Sequence, residues 1–251
     1  MNIRSKQHRL KQPKDQSREK VTTLPRSKPP HIGTIGEKSL HAAIKTWYAQ
    51  PGDAVEAFAD GFVIDIIRDT RLIEIQTGYF SKIRDKLETL VEHHPVRLVY
   101  PIAREKWIVR VKADGHTRLS RRKSPKRGRL EQLFDELVSF PELIAHPNFE
   151  IEVLFVQSEQ ILCNDGQGSW RRKRWSIHDH RLLDVVDRVR LASPADFSPL
   201  LRDTLPRPFT NRELADALKL PLRLAQKMTY CLRKMGIISV IGKKDRAFLY
   251  E

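Results

Sequence analysis

The sequence predicts an α+β chain: a mixed sheet flanked by helices, followed by a small C-terminal unit of two helices and a hairpin. Three observations carry this. Two apolar, β-branched runs, Phe62 to Ile67 and Leu72 to Gln76, flank the polar turn Arg68-Asp69-Thr70-Arg71, the pattern of a β-hairpin. Between Phe80 and Glu92, Ile83, Leu87, Leu90 and Val91 recur at helical intervals, and Val96 to Tyr100 follows as a strand. Near the C-terminus, Thr210 and Glu213 form a capping box ahead of a helix, and Gly236 stops the next one.

The elements follow in order. Residues 1–30, rich in Lys, Arg, Gln, Ser and Pro with almost no apolar periodicity, read as a disordered basic arm. Gly36 to Lys45 looks like a first helix and Val55 to Phe58 like a first strand, giving the order α-β-β-β-α-β over residues 36–101. Glu105 to Val111 is another strand, and Arg118 to Arg129 a basic loop too rich in turn formers to be a helix. Leu130 to Phe140 is an amphipathic helix, Phe149 to Val156 an alternating strand, and Asn164 to Ser169 a turn. A further helix is expected within 194–202, helices over 211–218 and 222–235, and strands over 237–241 and 246–250. These divisions set domain boundaries at 1–30, 31–115, 116–193 and 194–251.

The hairpin also carries the most informative chemistry. Asp65 lies in the first run, Glu74 in the second, and Gln76 follows two residues after the glutamate. Burying such strands with an acid in each is costly unless the acids meet a cation or a partner. Two carboxylates converging at neighbouring strand ends make a hard oxygen site of the kind Mg²⁺ prefers. Side chains alternate along a strand, so Glu74 and Gln76 share one face while Ile73 and Ile75 share the other.

Asp65 on one strand and Glu74-Ile75-Gln76 on the next, inside α-β-β-β-α-β, resemble the PD-(D/E)XK, or restriction-endonuclease-like, nuclease superfamily. The resemblance implies a divalent-metal-dependent endonuclease in which Asp65 and Glu74 hold Mg²⁺ or Mn²⁺. Glu37, in the first helix, would be the superfamily's additional metal-assisting glutamate. Gln76 stands where the superfamily has lysine, and no proline precedes Asp65. A neutral amide orients a nucleophile but supplies no charge, so Lys82 or Lys86 on the next helix would have to reach in.

The C-terminal order of helix, turn, helix and basic-tipped hairpin resembles the winged-helix family over residues 194–251. That resemblance implies DNA binding, with the second helix in the major groove and the hairpin on backbone or minor groove. Arg223, Gln226, Lys227, Tyr230 and Arg233 are its recognition-helix candidates, and Lys243, Lys244 and Arg246 its wing candidates. Winged helices also serve as protein–protein modules, so dimerisation stands as the alternative role.

Charge points the same way. The formal net charge is +15. Lys and Arg balance Asp and Glu over residues 31–115, twelve against twelve, and exceed them on every flank. A basic flank attracts phosphate backbone and releases counterions. Arg121, Arg122, Lys123, Lys126 and Arg127 form one basic cluster. Arg171, Arg172, Lys173 and Arg174, bracketed by Trp170 and Trp175, form another, open to two readings: cations that grip phosphate while an indole stacks, or a hairpin whose tryptophans pack inward and whose charges are solvated.

Cys163 and Cys231 have no pairing framework and read as free thiols. The absence of an apolar span or signal core points to a cytoplasmic protein without a membrane partner. The leading reading is therefore a DNA-binding, metal-dependent nuclease-like protein acting on duplex or branched DNA. A non-catalytic DNA-binding scaffold and an RNA-processing or RNA-binding protein are the alternatives. Double-strand cutting usually calls for two active sites, which makes a homodimer a possible partner state.

Overall fold

The computed structural model describes residues 39–201 and 205–251. Helix α1 (Ser39–Tyr48) leads into strands β1 (Ala54–Ala59), β2 (Phe62–Arg68) and β3 (Arg71–Ile75), then helix α2 (Arg84–Leu90) and strand β4 (Val96–Val111). Strand β5 (Arg118–Lys123), the one-turn helix α3 (Phe134–Leu137), and strands β6 (Phe149–Cys163) and β7 (Ser176–Leu191) follow. The chain closes with helices α4 (Asn211–Leu218) and α5 (Leu222–Lys234) and strands β8 (Val240–Lys244) and β9 (Ala247–Tyr250).

One seven-stranded sheet organises the protein, in the order β1-β2-β3-β4-β6-β7, with β5 also paired to β4. The meander β1-β2-β3 is antiparallel, whereas β3, β4 and β6 run parallel. Parallel neighbours need a crossover, and α2 supplies it between β3 and β4. The expected mixed sheet with flanking helices is therefore present.

The central strands β2, β3, β4 and β6 are covered on both faces. Ile44 and Tyr48 of α1 pack with Ile66, Ile73, Ile75, Val99, Leu154 and Val156. The alternate residues of the same strands, Leu72, Leu98, Ile151 and Val153, pack on the other face with Phe80, Leu87 and Leu90. That second core does not stop at the expected boundary at residue 194. It continues through Phe134, Phe197, Phe209, Leu214, Met228 and Leu232, and the described residues belong to one compact unit. Phe134 and Phe197 meet at 5.9 Å between ring centroids.

Several expectations are corrected. Arg118–Lys123 is not a loop but an edge strand paired to Trp107–Val111. All six of its side chains are exposed, and an edge strand needs only backbone partners, so its charges never have to be buried. The helix expected over 130–140 is shorter, a 3₁₀ turn Leu130–Leu133 running into α3. The strand expected over 149–156 continues to Cys163, and the long strand β7 was not foreseen. Pro194–Leu200 is 3₁₀ rather than α, with Pro199 inside it. The first strand of the final hairpin starts at Val240 rather than 237, and its tip lies at Asp245, with φ 55°. The basic arm over 1–30 and the start of the first helix lie outside the described residues. Among the described residues no helix is long and apolar enough to cross a membrane.

Candidate functional site

Asp65 sits where β2 leaves β3. The two strands pair through Ile66 and Ile73 and then separate. In place of further ladder bonds, the Asp65 carboxylate accepts the backbone N–H of Ile75 at 2.8 Å. Glu56 lies opposite Asp65 in the β1–β2 register and adopts φ 52°, a left-handed conformation unfavourable for a glutamate. The bend there carries β2 across the sheet: Ile66 packs on the α1 face and Ile64 on the α2 face. The local kink is what opens a gap between two strands at the position of the acids.

Cations from both helices enter this gap. His41 Nε2 lies 3.2 Å from Asp65 Oδ2, and Lys45 Nζ lies 4.0 Å from Asp65 Oδ1. Lys45 also donates to Glu56 at 2.6 Å. Glu74, in the strand Arg71–Ile75, is buried and accepts from Lys86 at 2.5 Å, and the same ammonium donates to the Val63 carbonyl.

The two carboxylates differ in their proton affinity. Burial raises that of Asp65, but the hydrogen bonds from His41 and Ile75 N–H and the charge of Lys45 outweigh it, so its pKa is lowered. Burial dominates at Glu74 and pushes its pKa up, helped by the nearby Asp65 charge and opposed by Lys86.

The predicted site residues divide accordingly. Lys86 meets Glu74, and Asp65 reaches the N–H of Ile75, the residue after Glu74. Gln76 does not join them: its amide donates to the Tyr79 carbonyl at 3.3 Å. Lys82 stacks over the Tyr79 ring, 5.2 Å from its centroid, instead of reaching an acid. Glu37 lies outside the described residues. His41, Lys45 and Glu56 were not foreseen. The signal for the first pair was present, since His41 and Lys45 are four apart on one helix and must share a face. Among the described residues no three His, Cys, Asp or Glu side chains converge as a metal-holding group.

The predicted nucleic-acid contacts are mostly exposed. Arg121, Arg122, Lys123, Lys126 and Arg127 stand in solvent, although Arg121 pairs with Glu159, and Lys123 and Arg127 pair with Glu105. Arg121 and Lys123 both lie over the Trp107 ring, at 4.9 and 5.1 Å. On α5, Arg223, Gln226, Tyr230 and Arg233 form one exposed stripe. Lys227 does not belong to it, because its ammonium is held by Asp135 at 2.7 Å, tying α5 to α3. On the final hairpin, Lys243, Lys244 and Arg246 are exposed, with Lys244 3.4 Å from Glu213.

The chain belongs to the family described as a domain of unknown function (DUF8091), which matches residues 38–192 and so spans both acids and the whole sheet. It is similar to an uncharacterized protein of Treponema pallidum (strain Nichols), 29% identical over 222 residues that cover 88% of this chain and 87% of that protein. No solved structure matches.

Proposed function

We propose that this protein is a DNA-binding, divalent-metal-dependent phosphodiesterase of restriction-endonuclease type, with Asp65, Glu74 and Lys86 as its working site. One observation carries the reading: where β2 and β3 separate, the Asp65 carboxylate is bonded to the N–H of Ile75, the residue after Glu74, and Lys86 is bonded to Glu74. Lys86 stands in for the charge that Gln76 lacks. The α-β-β-β-α-β order over the same residues supports the resemblance to the PD-(D/E)XK superfamily.

The donors suit a hard cation. Asp65 and Glu74 offer carboxylate oxygens, the ligand class of Mg²⁺ and Mn²⁺, and Mg²⁺ commonly keeps several waters rather than demanding a full protein cage. Such an ion would supply a more acidic water and offset charge building on the scissile phosphate. The chain's own groups do the rest. Ile75 N–H and His41 fix the Asp65 carboxylate, and Lys86 places positive charge beside Glu74. Nucleic acid would be held by the exposed basic side chains of β5 and by a winged-helix-like C-terminal segment presenting Arg223, Gln226, Tyr230 and Arg233.

A specific feature favours the runner-up, a DNA-binding scaffold without catalysis: each acid already has a lysine or histidine partner, and the Gln76 amide is bonded to the Tyr79 carbonyl. RNA is the third reading, since basic strands with tryptophans do not choose between sugars. The deciding experiment incubates the full chain with plasmid, branched DNA and RNA in Mg²⁺ or Mn²⁺. Cleavage that Asp65→Ala and Lys86→Ala abolish, with DNA affinity retained, is the expected result. No cleavage of any substrate in either metal sinks the enzyme reading and leaves the scaffold.

A further inference from the structure

Past the two large cores, β6 and β7 continue as an antiparallel ribbon, with β4 paired along its β6 edge out to Val111 and a small cluster of Val109, Val111, Ile161 and Cys163 buried there. From Val156 to Cys163 the ribbon spans roughly 23 Å at ~3.3 Å per residue. Residues 164–175 turn the ribbon, and this turn is built rather than slack. Gly168 N–H donates to the Arg174 carbonyl at 2.8 Å, Arg174 N–H to Ser169 at 3.1 Å, Lys173 N–H to Trp170 at 2.9 Å and Trp175 N–H to Arg172 at 3.0 Å. Ser176 Oγ donates to Asp165 at 2.6 Å. A Cβ on Gly168 would lie 1.9 Å from the Trp175 carbonyl oxygen, so only glycine lets the two arms of the turn close. Lys173 and Arg174 both take left-handed conformations, with φ 50° and 65°. A turn that spends strain on two cationic residues in succession holds a fixed shape.

That shape presents an unusual surface. Trp170 is 80% exposed, the most exposed large apolar side chain among the described residues. Arg171 lies 5.6 Å from its ring centroid, and Arg172, Lys173 and Arg174 are exposed beside it. None of these four cations has an acidic partner among the described residues, unlike Arg121 and Lys123 on β5 and Arg127 after it. An indole left in water gains by stacking, and four unpaired cations gain by meeting a polyanion. A nucleobase with its attached phosphates satisfies both at once.

We propose that the 164–175 turn is a base-stacking wedge for nucleic acid with an unpaired or splayed base. Trp170 takes the base, and Arg171 to Arg174 take the flanking phosphates. Continuous duplex, whose bases are stacked inside, satisfies only the cations. The inference rests on the reading above only in taking nucleic acid as the partner. It deepens that reading by naming the substrate class as single-stranded, forked or branched rather than intact duplex.

The test measures binding of the full chain in EDTA, so that hydrolysis plays no part. Three oligonucleotides of equal length are compared, single-stranded, forked and fully duplex, in DNA and in RNA form, with 2-aminopurine at the unpaired position. Wild type should prefer the single-stranded and forked forms and quench 2-aminopurine. Trp170→Ala should weaken binding to those forms about tenfold while leaving duplex binding unchanged, and Trp170→Phe should restore most of the loss. Replacing Arg171, Arg172, Lys173 and Arg174 together by Ala should weaken all three forms and flatten the salt dependence. Equal affinity of wild type and Trp170→Ala for every oligonucleotide, or quenching that survives Trp170→Ala, overturns the wedge. Because Asp65→Ala should stop cleavage without altering this binding, the two readings fail separately.

Discussion

At the inner end of the sheet Asp65 and Glu74 are largely buried and each is met by a lysine from a helix, whereas at the outer end Arg171 to Arg174 stand in solvent with no acid beside them among the described residues. Composition follows the same division. Residues 39–103 carry seven Lys and Arg against nine Asp and Glu, and residues 104–129 carry eleven against two. The inner charges sit where desolvation is costly, so the fold had to pair them, and their pairing sets geometry. Outer charges cost little to leave alone and remain available to a partner. One sheet thus holds a region where electrostatics serves position and another where it serves attraction.

The largest expected effect tests whether the inner region depends on the C-terminal segment. Phe197 is fully buried against Phe134, in a core shared by the sheet, α2, α4 and α5. Phe197→Ala should cost about 3–5 kcal/mol in urea unfolding, and truncation before residue 194 should destabilise the sheet as well. Two well-separated unfolding transitions in the intact chain would show instead that the segments fold independently.

A somewhat smaller loss should come from the inner ion pair. Lys86→Ala leaves Glu74 buried without its ammonium, and unfolding stability at neutral pH should fall by about 3 kcal/mol, the lower end for a broken buried pair. Adding Glu74→Gln should recover much of it. Matching losses in the single and double variants would break the claim that the pair neutralises a buried charge.

Opposite pH slopes should separate the two acids. The pKa of Asp65 is lowered, so its contribution is present above the ordinary carboxylate range and is lost as pH falls through its folded value. The pKa of Glu74 is raised, so its contribution is present at low pH and is lost as pH rises through its folded value. Relative to wild type, Asp65→Asn should therefore compare worst at neutral pH and Glu74→Gln best there. Denaturation midpoints measured from acid to neutral pH would read both slopes. Parallel slopes would show that the acids share one environment.

The smallest stability effect belongs to the outer region. Arg122→Ala on β5 should change unfolding stability by no more than about 0.5 kcal/mol, because the side chain is exposed on an edge strand. It should nonetheless lower the salt dependence of nucleic-acid binding, a split that no inner substitution should reproduce. The buried thiol of Cys231, pushed up to about 12 by burial, gives an internal reference, since it should resist thiol reagents until the chain unfolds.

Much of this was legible in sequence. Period-two and helical spacing located the hairpin, α2, α4 and α5, and the capping box at Thr210 is present with Glu213 N–H donating to Thr210 Oγ1 at 3.3 Å. Asp65 and Glu74 stood out because acids inside apolar β-branched runs need a partner, and Lys86 was among the cations near enough to provide one. Tertiary structure alone decided the rest. Arg118–Lys123 became a strand because β4 offered a backbone edge, which no side-chain pattern announces. Lys227 rather than Arg223 turned inward because α5 packs on α3, a contact between residues 92 apart in sequence. Gln76 and Lys82 missed the site because both are taken up by Tyr79, Gln76 through its carbonyl and Lys82 over its ring, leaving Lys86 one helical turn further on to reach Glu74. Local pattern fixes which elements form and which charges are expensive to bury. Only the folded chain decides which cation is close enough to meet each of them.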